Sequence, residues 1–103
     1  MQYCLIYITA GDEAEAKRIG RTLVEEKLVA CVNIYPIQSV YRWEGAIEEE
    51  GEIAILAKTR DELADRVIER VKELHSYEVP DIISLPIEKG YPAYLKWIDE
   101  STK

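Results

Sequence analysis

Two long extended segments, residues 29–43 and 46–58, flank the single turn signal Glu44-Gly45, and no other feature restricts the chain as much. Runs rich in β-branched and aromatic residues joined by a short Gly-containing link predict a β-hairpin. The first arm alone, at ~3.3 Å per residue, reaches roughly 45 Å. A compact domain of about 100 residues has a radius of gyration near ~13 Å, a diameter of about 35 Å. The hairpin must therefore bend, project, or both, and Pro36 is the expected bend. A projecting ribbon carries Val40, Tyr41, Trp43, Ile47 and Ile53 outward along two open edges, which invites aggregation unless something covers them. Sister copies of the chain are the expected cover, while Glu44, Glu48, Glu49, Glu50 and Glu52 keep the tip in water. The alternative is a hairpin that curls back over its own sheet in a monomer.

The rest of the chain supplies strands and helices to flank that hairpin. Residues 2–9 are apolar and rich in Tyr and Ile, the composition of a buried strand. Asp12 followed by Glu15 predicts a capped helix start, with Ala16, Ile19, Leu23 and the stem of Lys27 along one face and an end near Lys27. Gly20 in that face predicts a close neighbour. Thr59 followed by Glu62 predicts a second capping box, opening a helix with Leu63, Val67, Val71 and Leu74 on its apolar face and a Glu62–Arg66 pair outside. Pro80 breaks the chain, residues 82–87 form a fourth strand, and Pro92 in a first-turn position opens a helix to about Glu100.

The resulting order, β-α-β-β-α-β plus a terminal helix, is an α+β, ferredoxin-like arrangement in one domain over residues 1–103. Its strand order, 4-1-3-2, puts strands 2 and 4 on the edges. Pro36 and Pro86 fall on those two strands, where a missing N–H donor costs least. Cys4 and Cys31 then lie two strand spacings apart, about 9.5 Å, beyond the roughly 7 Å reach of a disulfide. No bridge between them is expected.

Twenty acidic residues against 13 basic give a net charge of −7 over 103 residues. That balance argues against nucleic-acid and membrane partners, which need a basic face to displace counterions. No apolar run approaches the ~20 residues of a membrane span. The opening Met1–Ile8 has neither the basic start nor the cleavage site of a secretory signal, so the cytoplasm is the expected compartment. With one His and two cysteines in apolar strand contexts, the chain offers no nucleophile–base pair, and an enzyme is not expected.

The residues left for chemistry are few. His75 ends the second helix, where an imidazole either bonds a terminal carbonyl or serves as a metal ligand at a pocket rim. Lys58 ends strand 3 and is either solvated or an anion contact. Tyr41, Trp43, Tyr77, Tyr91, Tyr94 and Trp97 suit a pocket between subunits or an interface core equally well. The run Glu48-Glu49-Glu50-Gly51-Glu52 alternates faces along a strand, so a solvated hairpin face is expected rather than the six or more oxygens that a hard cation takes.

Several blocks together resemble the CutA divalent-cation tolerance family. They are Leu28-Val29-Ala30-Cys31-Val32-Asn33-Ile34, Ser39-Val40-Tyr41-Arg42-Trp43-Glu44-Gly45, Lys58-Thr59, His75-Ser76-Tyr77-Glu78-Val79-Pro80-Asp81-Ile82, and Tyr94-Leu95 with Trp97. The resemblance implies a homotrimer similar in architecture to the PII signalling proteins and a role in tolerance of divalent metals, chiefly Cu(2+). It also implies clefts between subunits that would gather Cys31, Tyr41, Trp43, Lys58, His75, Tyr77, Glu78 and Trp97, with His75 as the metal ligand. The chain departs from members credited with copper binding: Ile8 replaces a Cys before Thr-Ala, and Leu74-His75-Ser76 replaces a His pair followed by Pro. One ligand of three remains. A small-molecule sensor that takes an anionic ligand at Lys58 is the competing expectation.

Overall fold

The computed structural model describes residues 2–103. Strand β1 (Tyr3–Ala10) is followed by helix α1 (Glu13–Glu25), the hairpin strands β2 (Cys31–Trp43) and β3 (Ala46–Arg60), helix α2 (Ala64–Leu74), strand β4 (Ile82–Ile87) and helix α3 (Pro92–Ser101). The strands form one antiparallel sheet in the order β2-β3-β1-β4, the expected order read from the opposite edge. Both sheet prolines lie on edge strands, Pro36 on β2 and Pro86 on β4.

Alternation of side chains along the strands decides what each face meets. On one face Cys4, Ile6, Ile8, Ile55 and Ala57 pack under Ala16, Ile19 and Leu23 of α1 and Val67 and Val71 of α2. Gly20 allows the helix to approach the edge strand, because a Cβ there would sit 2.8 Å from Val32 Cγ2. On the other face α3 crosses one end, with the Tyr3 hydroxyl donating to Asp99 at 2.7 Å and Arg60 Nε donating to Thr102 at 2.9 Å. The rest of that face has no helix over it. Ile83 is 52 % exposed, Leu85 44 % and Tyr35 39 %. Cys4 and Cys31 are free, on strands separated by β3.

The hairpin outgrows the sheet, as its length requires. Pairing of β2 with β3 runs residue for residue from Cys31↔Lys58 to Trp43↔Ala46 and is not interrupted at Pro36, opposite Ile53. β1 ends at Ala10, also opposite Ile53, so the pairs from Ile37↔Glu52 outward have no third strand. The molecule measures 44 × 25 × 21 Å, with a radius of gyration of 14.1 Å. The turn is closed by Glu44 (φ 49°) and Gly45 (φ 82°), the left-handed pair that matches the twist of a two-residue hairpin link.

Two helix ends differ from expectation. Asp12 caps α1 by accepting from the Glu15 N–H at 2.8 Å, but the helix stops at Glu25 and Lys27 is exposed rather than on the apolar face. Leu28 N–H donates to Leu23 O and Lys27 N–H to Val24 O, both at 3.0 Å, the paired bonds of a Schellman stop. That stop forces Lys27 into the left-handed region at φ 59°. Thr59 does not cap α2. It belongs to β3, is fully buried, and donates to Leu28 O at 2.7 Å. A 3-10 turn (Asp61–Leu63) intervenes, and Glu62 pairs with Arg60 rather than Arg66.

Lys27→Gly is expected to raise stability by about 1 kcal/mol, by removing the left-handed penalty of a side chain. Gly20→Ala is expected to lower it by roughly 1–3 kcal/mol, since a Cβ 2.8 Å from Val32 Cγ2 forces helix and edge strand to shift. Urea unfolding of both variants checks the two signs.

Candidate functional site

Where the ribbon leaves β1, the loop after α2 folds against it and the two enclose a groove of about 770 Å³. Tyr7 and Thr9 of β1 form its floor, Tyr41 and Trp43 of β2 and Glu50 and Glu52 of β3 one wall, and Tyr77, Glu78 and Asp81 of the loop the other. No Lys, Arg or His stands among the lining residues described. Glu50 and Glu52 share a face because strand side chains repeat every two residues.

The tyrosine hydroxyls engage these carboxylates. Tyr41 donates to Glu50, its diagonal cross-strand neighbour, and Tyr77 donates to Glu52 at 2.9 Å. The Glu50 hydrogen bond pushes the Tyr41 phenol up to about 12. Burial, then the bond to Glu52, pushes the Tyr77 phenol up as well. Burial together with the nearby Glu52 charge raises the Asp81 carboxyl. Glu52 is 7 % exposed, so the acidic run is not a wholly solvated face: one of its carboxylates is built into the molecule.

A second cluster occupies the far end of the hairpin. Cys31 and Lys58 are cross-strand partners, and the Cys31 thiol lies 3.4 Å from the Tyr94 hydroxyl. Lys58 Nζ donates to Asn33 Oδ1 at 2.7 Å and sits 5.8 Å from the centre of the Tyr94 ring. Trp97 packs beside Tyr94 with ring centres 5.4 Å apart. The hydrogen bond with Cys31, followed by burial, pushes the Tyr94 phenol up to about 12.

His75 belongs to neither surface. Its side chain is 0 % exposed. Nε2 lies 2.6 Å from the Thr9 carbonyl and Nδ1 accepts the Tyr77 N–H at 3.1 Å. A carbonyl only accepts and an N–H only donates, so the proton is assigned to Nε2 and the lone pair to Nδ1. Within this chain both nitrogens of His75, the residue expected as metal ligand, are engaged by backbone groups.

The eight residues expected in clefts between subunits lie in three places on the single chain. Tyr41, Trp43, Tyr77 and Glu78 line the groove, Cys31, Lys58 and Trp97 lie in the far cluster, and His75 is interior. Ten residues of strand separate Cys31 from Tyr41, roughly 33 Å, so no cavity of a single chain gathers them. Among the described residues no three or more His, Cys, Asp or Glu side chains converge to hold a metal ion. A divalent cation does not fit the donors of one chain. Sequence reasoning passed over Glu50, Glu52, Asp81, Asn33 and Tyr7. The two-residue strand repeat carried the signal for the first pair, and hairpin register carried it for Asn33 beside Cys31.

Residues 4–101 match the sequence pattern of the CutA1 divalent ion tolerance protein family. The chain belongs to this family. Divalent-cation tolerance protein CutA of Archaeoglobus fulgidus is 50 % identical over 98 residues, covering 95 % of this chain and 96 % of that protein. The CutA of Thermus thermophilus is 46 % identical over 99 residues, with coverages of 95 % and 96 %. The match to the CutA homolog of Xenopus laevis, 47 % identical over 95 residues, spans 63 % of that longer protein. Among solved structures, the periplasmic divalent cation tolerance protein CutA of Archaeoglobus fulgidus superposes with a TM-score of 0.96 at 48 % identity, covering 98 % of this chain and 99 % of that one. CutA1 of Oryza sativa gives 0.97 at 41 % identity, covering 100 % and 95 %. The α+β arrangement expected from the sequence is the CutA1 fold.

Glu50→Gln is expected to return the Tyr41 phenol from about 12 toward the ordinary value, near ~10 for tyrosine. Alkaline ultraviolet titration of the two proteins measures the shift, and Tyr41→Phe identifies the phenol concerned.

Proposed function

We propose that this chain is a non-catalytic, homotrimeric divalent-cation tolerance protein whose ion-binding clefts are completed by neighbouring copies. One observation carries the reading. A half-uncovered sheet face with Tyr35, Ile83 and Leu85 in water runs onto a ribbon that lacks a third strand. An apolar surface of that kind calls for a partner, and a strand edge that continues it offers backbone donors and acceptors to another chain. The separation of the Cys31 end from the acidic groove fits the same reading, because residues from one chain then contribute to different clefts. Cu(2+) is the first candidate ion. The relatives' names refer to tolerance of divalent cations. The free thiols of Cys4 and Cys31 suit a reducing cytoplasm, and the net charge of −7 suits neither nucleic acid nor an anionic membrane.

A specific observation favours a second reading. Lys58, held by Asn33 above the Tyr94 ring beside Cys31, presents a cation framed by aromatic surface. In a trimer resembling the PII proteins that cluster would take a small organic anion. Thermal-shift measurements with nucleotides and organic acids, wild type against Lys58→Ala, separate the readings: a stabilising anion that loses its effect in the variant supports the sensor.

Light scattering coupled to size exclusion is expected to give three times the 11.9 kDa chain mass. Replacing Ile83 and Leu85 together by Arg is expected to give a monomer that binds Cu(2+) and Zn(2+) at least about tenfold more weakly in calorimetric titration, the equivalent of ~1.4 kcal/mol. A wild-type monomer, or a monomeric variant with undiminished affinity, would refute the proposal.

A further inference from the structure

His75 stands at the end of α2, where its own N–H still bonds Val71 O at 2.9 Å before the backbone turns extended. From there the ring points inward and joins three elements. Nε2 holds the Thr9 carbonyl of β1, and Nδ1 receives the Tyr77 N–H of the loop. Glu15 of α1 approaches Nδ1 at 3.7 Å while accepting the Ser76 N–H at 2.8 Å. Arg18 of α1 lies 3.8 Å from Glu15 and donates to Leu74 O at 3.2 Å.

Tyr77 is the residue this arrangement positions. Its N–H is bound by Nδ1, and its ring lies 4.7 Å from the imidazole at 52°. A Cβ on Gly11 would come within 3.2 Å of its hydroxyl oxygen, so the phenol is seated closely on the β1–α1 turn. That hydroxyl bonds the buried Glu52 of β3. Thr9, His75, Tyr77 and Glu52 therefore form one chain of contacts from β1 through the loop to the ribbon. Three of the four, Thr9, Tyr77 and Glu52, line the groove.

We infer that His75 is a positioning residue that sets the loop wall of the groove through Tyr77 and Glu52, and that it is not the cation ligand its place in the sequence implies. A metal at Nδ1 would have to displace the Tyr77 N–H, and one at Nε2 would have to displace Thr9. Either displacement takes a partner from a backbone group, the Thr9 carbonyl of a buried residue or the part-buried Tyr77 N–H. The inference concerns the shape of the groove and holds whether or not copies assemble around it.

Three measurements test it. In wild-type protein, long-range proton–nitrogen correlation of the imidazole is expected to show the proton on Nε2 and a bare Nδ1, unchanged when Zn(2+) is added. His75→Ala is expected to speed hydrogen exchange at the Tyr77 amide by about tenfold, the order of one lost hydrogen bond. His75→Asn, whose side-chain carbonyl can replace Nδ1 as acceptor, is expected to restore most of the protection. Zn(2+)-dependent movement of the His75 ring resonances would overturn the inference, and so would a Tyr77 amide as protected in His75→Ala as in wild type. If His75→Ala does not fold, the wild-type resonances and His75→Asn decide it. If wild-type protein binds no Zn(2+), the cation-binding proposal fails while the amide measurements still judge this one.

Discussion

The register of β2 on β3 governs nearly everything else in the molecule. Pairing without a bulge from Cys31↔Lys58 to Trp43↔Ala46 puts Cys31 and Lys58 on the face shared with α3 and Val32 on the face shared with α1. A slip of one residue would exchange the two faces along the whole strand. With β3 fixed on β1, Tyr41 and Trp43 would leave the groove, Val32 would leave Gly20, and the Tyr41–Glu50 contact would be lost. The register is held at both ends. Glu44 and Gly45 supply the left-handed turn at the tip, and Thr59, buried and bonded to Leu28 O, anchors the base.

The same register divides the chemistry. A sheet covered by two helices on one face and by one short helix on the other has two kinds of end. At the base α3 gathers thiol, ammonium and aromatic rings into one cluster. Beyond Ile53 the ribbon and the α2–β4 loop gather carboxylates and phenols without a basic side chain among the described lining residues. A single molecule thus presents surfaces of opposite electrostatic character separated by most of the length of a strand. A head-to-tail arrangement of copies would bring such surfaces together, which one chain alone does not.

The architecture was legible because several local signals agreed with one global arrangement. Pro36 and Pro86 marked the edges, Glu44-Gly45 marked the turn, and the Val67, Val71, Leu74 repeat marked the core side of α2. The misreadings have a common physical cause: a local pattern was outcompeted by a tertiary contact. Thr59 and Glu62 have capping-box spacing, but the Leu28 carbonyl takes the hydroxyl and Arg60 takes the carboxylate. Lys27 continues the helical repeat, but the Schellman bonds at Leu28 and Lys27 end the helix before it. The groove was legible only in part, in four of its lining residues. Tyr41, Trp43, Tyr77 and Glu78 do meet, whereas His75 is turned inward by Thr9 and Tyr77, two contacts that sequence spacing does not reveal.

The ribbon that extends past β1 acts mechanically as an arm, and the Tyr77–Glu52 hydrogen bond lies near its fulcrum. From Glu52 to the turn at Gly45 the arm extends for seven residues, roughly 24 Å of strand. Rotation of a few degrees where the phenol grips the carboxylate becomes a displacement of an ångström or more at the tip, by simple leverage. A small change at that contact would therefore be largest at the turn, the part of the hairpin farthest from the three-stranded region that supports it.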